Sequence, residues 1–438
     1  MPRPLLDNRT RIGQHVCMLY FSNARFCRAG LWAGTLAVGL LTGHPSEAEI
    51  PNRVNDHPML ADDGDTLRAS EPLVFAMIGN TRGTVAGADL AAGMSVHKNI
   101  RAQVVEDIAS KATQPGGPSL LWMLGDHVRK GGAAGDWKAM DKSLAAILDG
   151  AKPPKGGPVR QLRAIPVAGD HEAESDPRYF GYGDAFPSVG ADIGFGRVAT
   201  WYHFDLQADD AKWRFMVVDP RREALGSRWT EQMGWVDRTL KEPQFDYLVV
   251  VMHDPVFDLG GRQPDMNRGG GSLDLIEEIE DRIGVLRLRA VVSAGHHTNQ
   301  VLLPDGPRGA IHLGVGGAGS VQDNLMRWGA ADEAGRAAEV NLEPLFDLAL
   351  LDQLDRWNRD YGLPDTVTDE AKARGQFEGF TAAYNARQFP VAGWWEMTIN
   401  GSVMVLDFHY RKLDGSFANI YRVQHQPQVG WIPSRPAK

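Results

Sequence analysis

Asp126, Asp170, His253 and His296 are two carboxylates and two imidazoles, and each closes a short apolar run: Leu120–Leu124, Arg163–Ala168, Tyr247–Met252 and Ala290–Ala294. Singly, none carries weight, because an Asp after a Gly is ordinarily a cap or turn residue and a strand-end His is usually a satisfied hydrogen-bonding group. Jointly they do. Residues at the ends of neighbouring strands gather at one edge of a sheet, and this donor set suits a divalent cation such as Zn, Mn or Fe.

The elements that would position these groups follow from the hydrophobic pattern. The runs, with Leu73–Ile78 ahead of them, are separated by helical stretches at 97–112, 134–149, 228–241 and 272–283, which predicts an α/β fold built as a layered sandwich. Four of the five runs end in Gly followed by a polar residue: Gly79-Asn80, Gly125-Asp126, Gly169-Asp170 and Gly295-His296. Glycine there lets the backbone turn sharply and come close to a ligand. Past residue 320 the texture changes. Residues 325–390 read as a helical insertion, and 391–438 as closing strands and a tail, with hairpin turns at Asn400-Gly401 and Asp414-Gly415.

The order of these motifs resembles the calcineurin-like metallophosphoesterase superfamily, which includes the purple acid phosphatases. That family runs Asp-x-His, Gly-Asp, Gly-Asn-His-Asp/Glu, a lone His, then Gly-His-x-His. Here those places hold Asn80-Thr81-Arg82, Gly125-Asp126, Gly169-Asp170-His171-Glu172, His253 and Gly295-His296-His297-Thr298. Val218-Asp219 followed by Gln232 and Trp235, and the glycine-rich stretch 314–319, agree with it as well. The resemblance covers about residues 73–320 and implies an α/β/β/α sandwich over a core of 72–324.

In that family two metal ions clamp a phosphoryl oxygen and generate a hydroxide nucleophile. The resemblance implies that one metal's ligands survive here as Asp126, Asp170, His253 and His296. The other's are replaced by Asn80, Arg82 and Thr298. An arginine has no lone pair to donate and repels a neighbouring cation, so the expectation is one divalent ion per chain, with the Arg82 guanidinium supplying part of the missing charge. His171 falls where the family has its general acid, a role that suits imidazole. His127 and His297 lie one residue from ligand positions, although a one-residue step along a strand normally turns a side chain to the other face. Asn80, His297 and the Arg262 and Arg268 loop are the expected contacts for an anionic substrate, and the aromatic loop 176–187 (Tyr179, Phe180, Tyr182) is a second pocket wall.

Composition sets limits. With 43% hydrophobic and 23% charged residues, the 438-residue chain has enough apolar content for a large core. A net charge of -9 argues against nucleic-acid or anionic-membrane binding, so an anionic ligand must be drawn in by a local positive site. Residues 1–48 read as a signal peptide: Arg25 and Arg28 precede an apolar run from Ala29 to Gly43, and small residues follow at Ser46 and Ala48. Cleavage there would place the mature chain in the periplasm or outside the cell with no membrane span, and would remove Cys17 and Cys27, the only two cysteines. Residues 49–71 read as a polar lead-in. The oligomeric state has no signature. Two functions fit: an exported phosphoric ester hydrolase (phosphatase or phosphodiesterase) acting on a phosphate-ester substrate, or a catalytically inactive protein that keeps the fold for binding or scaffolding.

Overall fold

The computed structural model describes residues 66–69, 71–82, 98–150, 161–187, 198–242, 245–256, 272–283, 287–295, 299–304, 309–316, 318, 384–389, 392–412, 415–427 and 429–434. All of them belong to the unit Ala48–Lys438. Strands and helices are numbered in chain order. One sheet runs β1 (Thr66–Ala69), β5 (Tyr202–Ala208), β6 (Ala211–Val217), β7 (Tyr247–Val251), β8 (Leu288–Ser293), β10 (Ile311–Val315), β9 (Asn299–Pro304), β11 (Tyr384–Phe389). The other runs β15 (Gly430–Ser434), β14 (Phe417–Gln426), β13 (Val403–Arg411), β12 (Gly393–Asn400), β2 (Leu73–Ile78), β3 (Leu120–Leu124), β4 (Arg163–Val167).

Alternation along the strands explains why the two sheets stack. Phe75 and Met77 of β2 and Leu120, Trp122 and Leu124 of β3 face Phe204, Phe215, Val249 and Val292 of the other sheet. Rings interlock there: Phe204 and Phe215 stack at 5.0 Å, and Trp122 lies 5.8 Å from Phe204. Full burial of such a side chain stabilises by roughly 1.5–3 kcal/mol. The intervening residues face outward onto helices. Ala76, Ile78, Leu121 and Met123 pack on Val104 and Ile108 of α1 (Lys98–Ala112) and on Leu144 and Ile147 of α2 (Ala134–Leu148). Met216, Val250 and Val291 pack on Val236 of α6 (Arg228–Lys241) and on Leu275 and Ile279 of α7 (Ser272–Ile283). The result is helices outside two mixed sheets, the expected α/β/β/α order.

Strands β2, β3 and β4 are parallel, as are β6, β7, β8 and β10, so their C-terminal ends share an edge in each sheet. Asn80, Asp126, Asp170, Asp219, His253 and Gly295 each sit past one of those ends. The remaining elements between them are short: α3 (Asp170–Ala173), α4 (Phe180–Ala185) and α5 (Arg222–Leu225).

Two sequence expectations need correction. Thr66–Ala69 of the polar lead-in is not loop but strand β1, parallel to β5, because an edge strand needs backbone pairing more than an apolar pattern. Most of the helical insertion 325–390 lies outside the described residues, but its last segment, Tyr384–Phe389, is strand β11, antiparallel to β9. The closing hairpin is β12 and β13, turning through Gly401 at φ 54°, and it docks on β2. The 1–48 leader lies outside the described residues. Among the described residues no helix is long and apolar enough to cross a membrane.

Candidate metal centre

Three of the four expected ligands converge. Asp126 follows β3 and is fully buried; Asp170 opens α3 after β4; His253 follows β7. The His253 Nε2 faces Oδ1 of Asp126 at 3.2 Å and Oδ1 of Asp170 at 3.4 Å. Its Nδ1 is 2.7 Å from the Leu124 carbonyl, which accepts the Nδ1 proton and leaves Nε2 to face the carboxylates. The two carboxylates and His171 can also bring one ligand atom each within 4.8 Å of one another. His296, His297, Arg262 and Arg268 lie outside the described residues.

Glycine makes this convergence feasible at two points. Gly125 has φ 84°, and a Cβ there would lie 2.3 Å from His253 Nδ1. A Cβ on Gly169 would lie 2.4 Å from the Asp126 nitrogen and 2.6 Å from its Oδ1. Asp126 itself adopts φ 53° and Arg82 φ 29°, a conformation in which a side-chain-bearing residue is strained, so local strain is concentrated at the centre.

Arg82 reaches the same carboxylate. Its Nε and Nη2 donate to Asp126 Oδ2 at 3.1 and 2.8 Å, and Arg101 braces it by donating to the Thr81 and Arg82 carbonyls. Asp126 is therefore divided, with Oδ1 toward His253 and Oδ2 toward Arg82. Asn80 uses Nδ2 to donate to the Ala294 carbonyl, tying the loop after β2 to the end of β8. His171 donates Nδ1–H to the Arg129 carbonyl at 2.7 Å, with Glu174 Oε2 also 3.2 Å away, so Nε2 is the atom left toward Asp126 Oδ2 at 4.0 Å.

The electrostatics follow from this geometry. Burial alone would raise the Asp126 carboxyl, but the charge and hydrogen bond of His253, and then Arg82, hold it well below the ordinary carboxylate range. Asp170 is also lowered: burial and the Asp126 charge push it up, and His253 outweighs them. Burial pushes the His253 imidazole down, but the Asp126 charge and the bonds to Asp126 and Asp170 raise it well above the usual histidine value. A protonated His253 would neutralise part of the charge on the two carboxylates.

That arrangement fits a divalent ion. A buried imidazole nitrogen between two carboxylate oxygens, at 3.2 and 3.4 Å, is the donor set and approach an ion requires. The donors present are Asp126 Oδ1, Asp170 Oδ1 and His253 Nε2, with His171 Nε2 close by.

His127 is not part of it. Its ring turns away from the centre, with Nε2 on the Val167 carbonyl at 2.9 Å, and packs among Trp137, Tyr182 and Phe186. Two residues that the sequence reading left without a role stand out. Glu172 accepts backbone N–H groups from Asp126 (2.9 Å), His127 (2.7 Å), Val128 (3.2 Å) and Gly169 (2.7 Å), so one carboxylate locks together the two loops that carry Asp126 and Asp170. The signal was its place in the Gly-Asp-His-Glu run. Arg221 lies behind the same loop, and its only signal was standing two residues after Asp219.

No family model matches the sequence, and no curated protein matches it. Solved structures do match by shape. PhoD superposes with a TM-score of 0.51 at 9% identity, covering 84% of this chain and 72% of that one. The purple acid phosphatase PPD1 from seeds of yellow lupin (Lupinus luteus) gives 0.49 at 13% identity, over 81% of this chain and 54% of that one. GAP50, the anchor in the inner membrane complex of Plasmodium, gives 0.42 at 12% identity over 80% and 88%. The chain spans about half the length of the lupin enzyme. The sandwich, the strand-end centre and the likeness to PhoD together identify the fold as that of the calcineurin-like metallophosphoesterases.

Proposed function

We propose that this chain is an exported metal-dependent phosphoric ester hydrolase working with one divalent ion, Zn, Mn or Fe, held by Asp126, Asp170, His253 and His296. The observation that carries the proposal is the buried His253 Nε2 between two carboxylate oxygens. A divalent ion bound there supplies Lewis acidity to a phosphoryl oxygen and lowers the pKa of water.

The chain's own residues divide the remaining work. As water adds to phosphorus and the bond to the leaving oxygen breaks, His171 supplies the proton from Nε2, the atom its Nδ1–H bond to Arg129 leaves free. Arg82 keeps a fixed positive charge on the Oδ2 side of Asp126, where the related two-metal enzymes would hold their other ion. Asn80, His297, Arg262 and Arg268 are the proposed contacts for the phosphate ester. The basic and apolar leader supports export of the chain.

The same Arg82–Asp126 pair favours a second reading, an inactive binding protein that has traded a metal for an ion pair. Elemental analysis of the purified protein, with hydrolysis of p-nitrophenyl phosphate and its bis-ester by wild type and His253→Ala, separates the two. About one ion per chain, with turnover lost in His253→Ala, supports the hydrolase; no ion and no turnover supports the binding protein.

A further inference from the structure

Arg221 is a tightly held cation near the centre. Its guanidinium is buried and forks onto Asp219, with Nε to Oδ1 at 2.8 Å and Nη2 to Oδ2 at 2.7 Å. Asp219 is fixed in turn by Thr200 Oγ1 at 3.0 Å and by the Gln232 amide, which bonds both its backbone N–H and its carbonyl at 2.8 Å. The Tyr179 ring packs 5.5 Å from the guanidinium carbon.

The rest of this rigid unit points at one stretch of backbone. Nη1 donates to the Gly169 carbonyl, and Nη2 lies 3.5 Å from the Ala168 carbonyl. Those are the two peptides immediately ahead of Asp170. Asp126 is walled in on every side, whereas the Asp170 side chain is 59% exposed and meets His253 at its inner end. Its aim is therefore set by where the backbone places its Cα. Arg221 Nε also stands 4.0 Å from Asp254 Oδ2, beside His253, so one guanidinium faces both ligand-bearing loops.

We propose that Arg221 is a positioning residue: by clamping the Ala168 and Gly169 carbonyls it aims Asp170 at the divalent ion, without itself touching substrate. This rests on the metal-dependent reading above. A lysine cannot replace it, because the fork onto Asp219 and the reach to two carbonyls need a planar guanidinium.

The test is Zn²⁺ affinity, measured by competition with a chromogenic chelator, for Arg221→Met and Arg221→Lys in the wild-type and Asp170→Ala backgrounds. Urea midpoints of the metal-free proteins are read in parallel. Arg221→Met is expected to weaken Zn²⁺ binding roughly 10- to 100-fold in the wild-type background, the usual effect of losing an outer partner of a ligand. In Asp170→Ala the same change should alter affinity by no more than about twofold, because the group it acts through is gone. Arg221→Lys keeps a charge opposite Asp219, and is expected to hold its urea midpoint while still weakening Zn²⁺ binding. An equal loss in both backgrounds, or no loss in either, overturns the role of Arg221 and leaves the metal-dependent reading standing. A wild-type protein that binds no Zn²⁺ overturns both.

Discussion

Replacing Arg82 by methionine tests the idea that its guanidinium stands in for a second cation. The substitution removes both contacts to Asp126 Oδ2, at 3.1 and 2.8 Å, and keeps a side chain of similar length at the same strained φ, so the backbone cost cancels. What remains is a fully buried carboxylate with His253 as its cationic partner. Breaking a buried ion pair from one side costs about 3–5 kcal/mol. Over the roughly 230 described residues, the usual ~2.1 cal/mol/K per residue gives an unfolding entropy of roughly 0.5 kcal/mol/K. The metal-free variant should then melt about 6–10 °C below wild type. Because a bound ion also faces Asp126, saturating Zn²⁺ or Mn²⁺ should shrink that gap. Differential scanning fluorimetry with and without chelator reads both numbers, and elemental analysis reads the stoichiometry. An unchanged melting temperature in the metal-free protein would refute the argument, as would two ions per chain in wild type, since a second ion and a guanidinium cannot share Asp126 Oδ2.

Two further outcomes follow from the same centre. Glu172→Gln replaces one of two oxygens that each accept two backbone N–H groups; two buried donors lose their acceptor, and urea unfolding should show a loss of about 2–6 kcal/mol, which a merely surface-type carboxylate would not produce. Ion binding must also displace a proton from His253, whose value is raised well above the ordinary imidazole range. Affinity should therefore rise with pH up to that raised value, about tenfold per unit, and calorimetry in buffers of different ionisation enthalpy should show close to one proton released; zero released protons would show that Nε2 is not a ligand.

Much of this was legible in the sequence because the signals were local. Leu73–Ile78 and Leu120–Leu124 were read to the residue, since a five- or six-residue apolar run bounded by glycine has few other meanings. Asp126, Asp170 and His253 were read from their place after such runs, whereas His127, past the end of β3, turns its ring away from the centre. The rest depended on partners distant in sequence. Tyr202–Ala208 and Ala211–Val217 went unread as strands because polar residues such as Asp205 and Arg214 interrupt the pattern. In the fold those two pair with each other, at 2.7 and 2.9 Å, and are buried together. Strand β11 was hidden for a related reason, since Tyr-Asn-Ala-Arg-Gln-Phe has no apolar face and is defined by its register against β9. Glu172 and Arg221 act on backbone amides and carbonyls, so their places in the Gly-Asp-His-Glu run and two residues after Asp219 mark them without showing what they hold.

The docking of β12 on β2 sets a timetable for the protein's birth. Met77 pairs with Trp395, more than three hundred positions later in the chain. At the usual pace of synthesis, the first strand of the core waits about 15–60 s for its neighbour to be made. During that interval β2 is an open edge, with backbone groups available to any passing strand. Chains cut short before Gly393 would keep that edge permanently and should be aggregation-prone. Pairing on that side of β2 waits until residues 393–400 have been made, which leaves its edge open to chaperones or to a translocation channel throughout the interval.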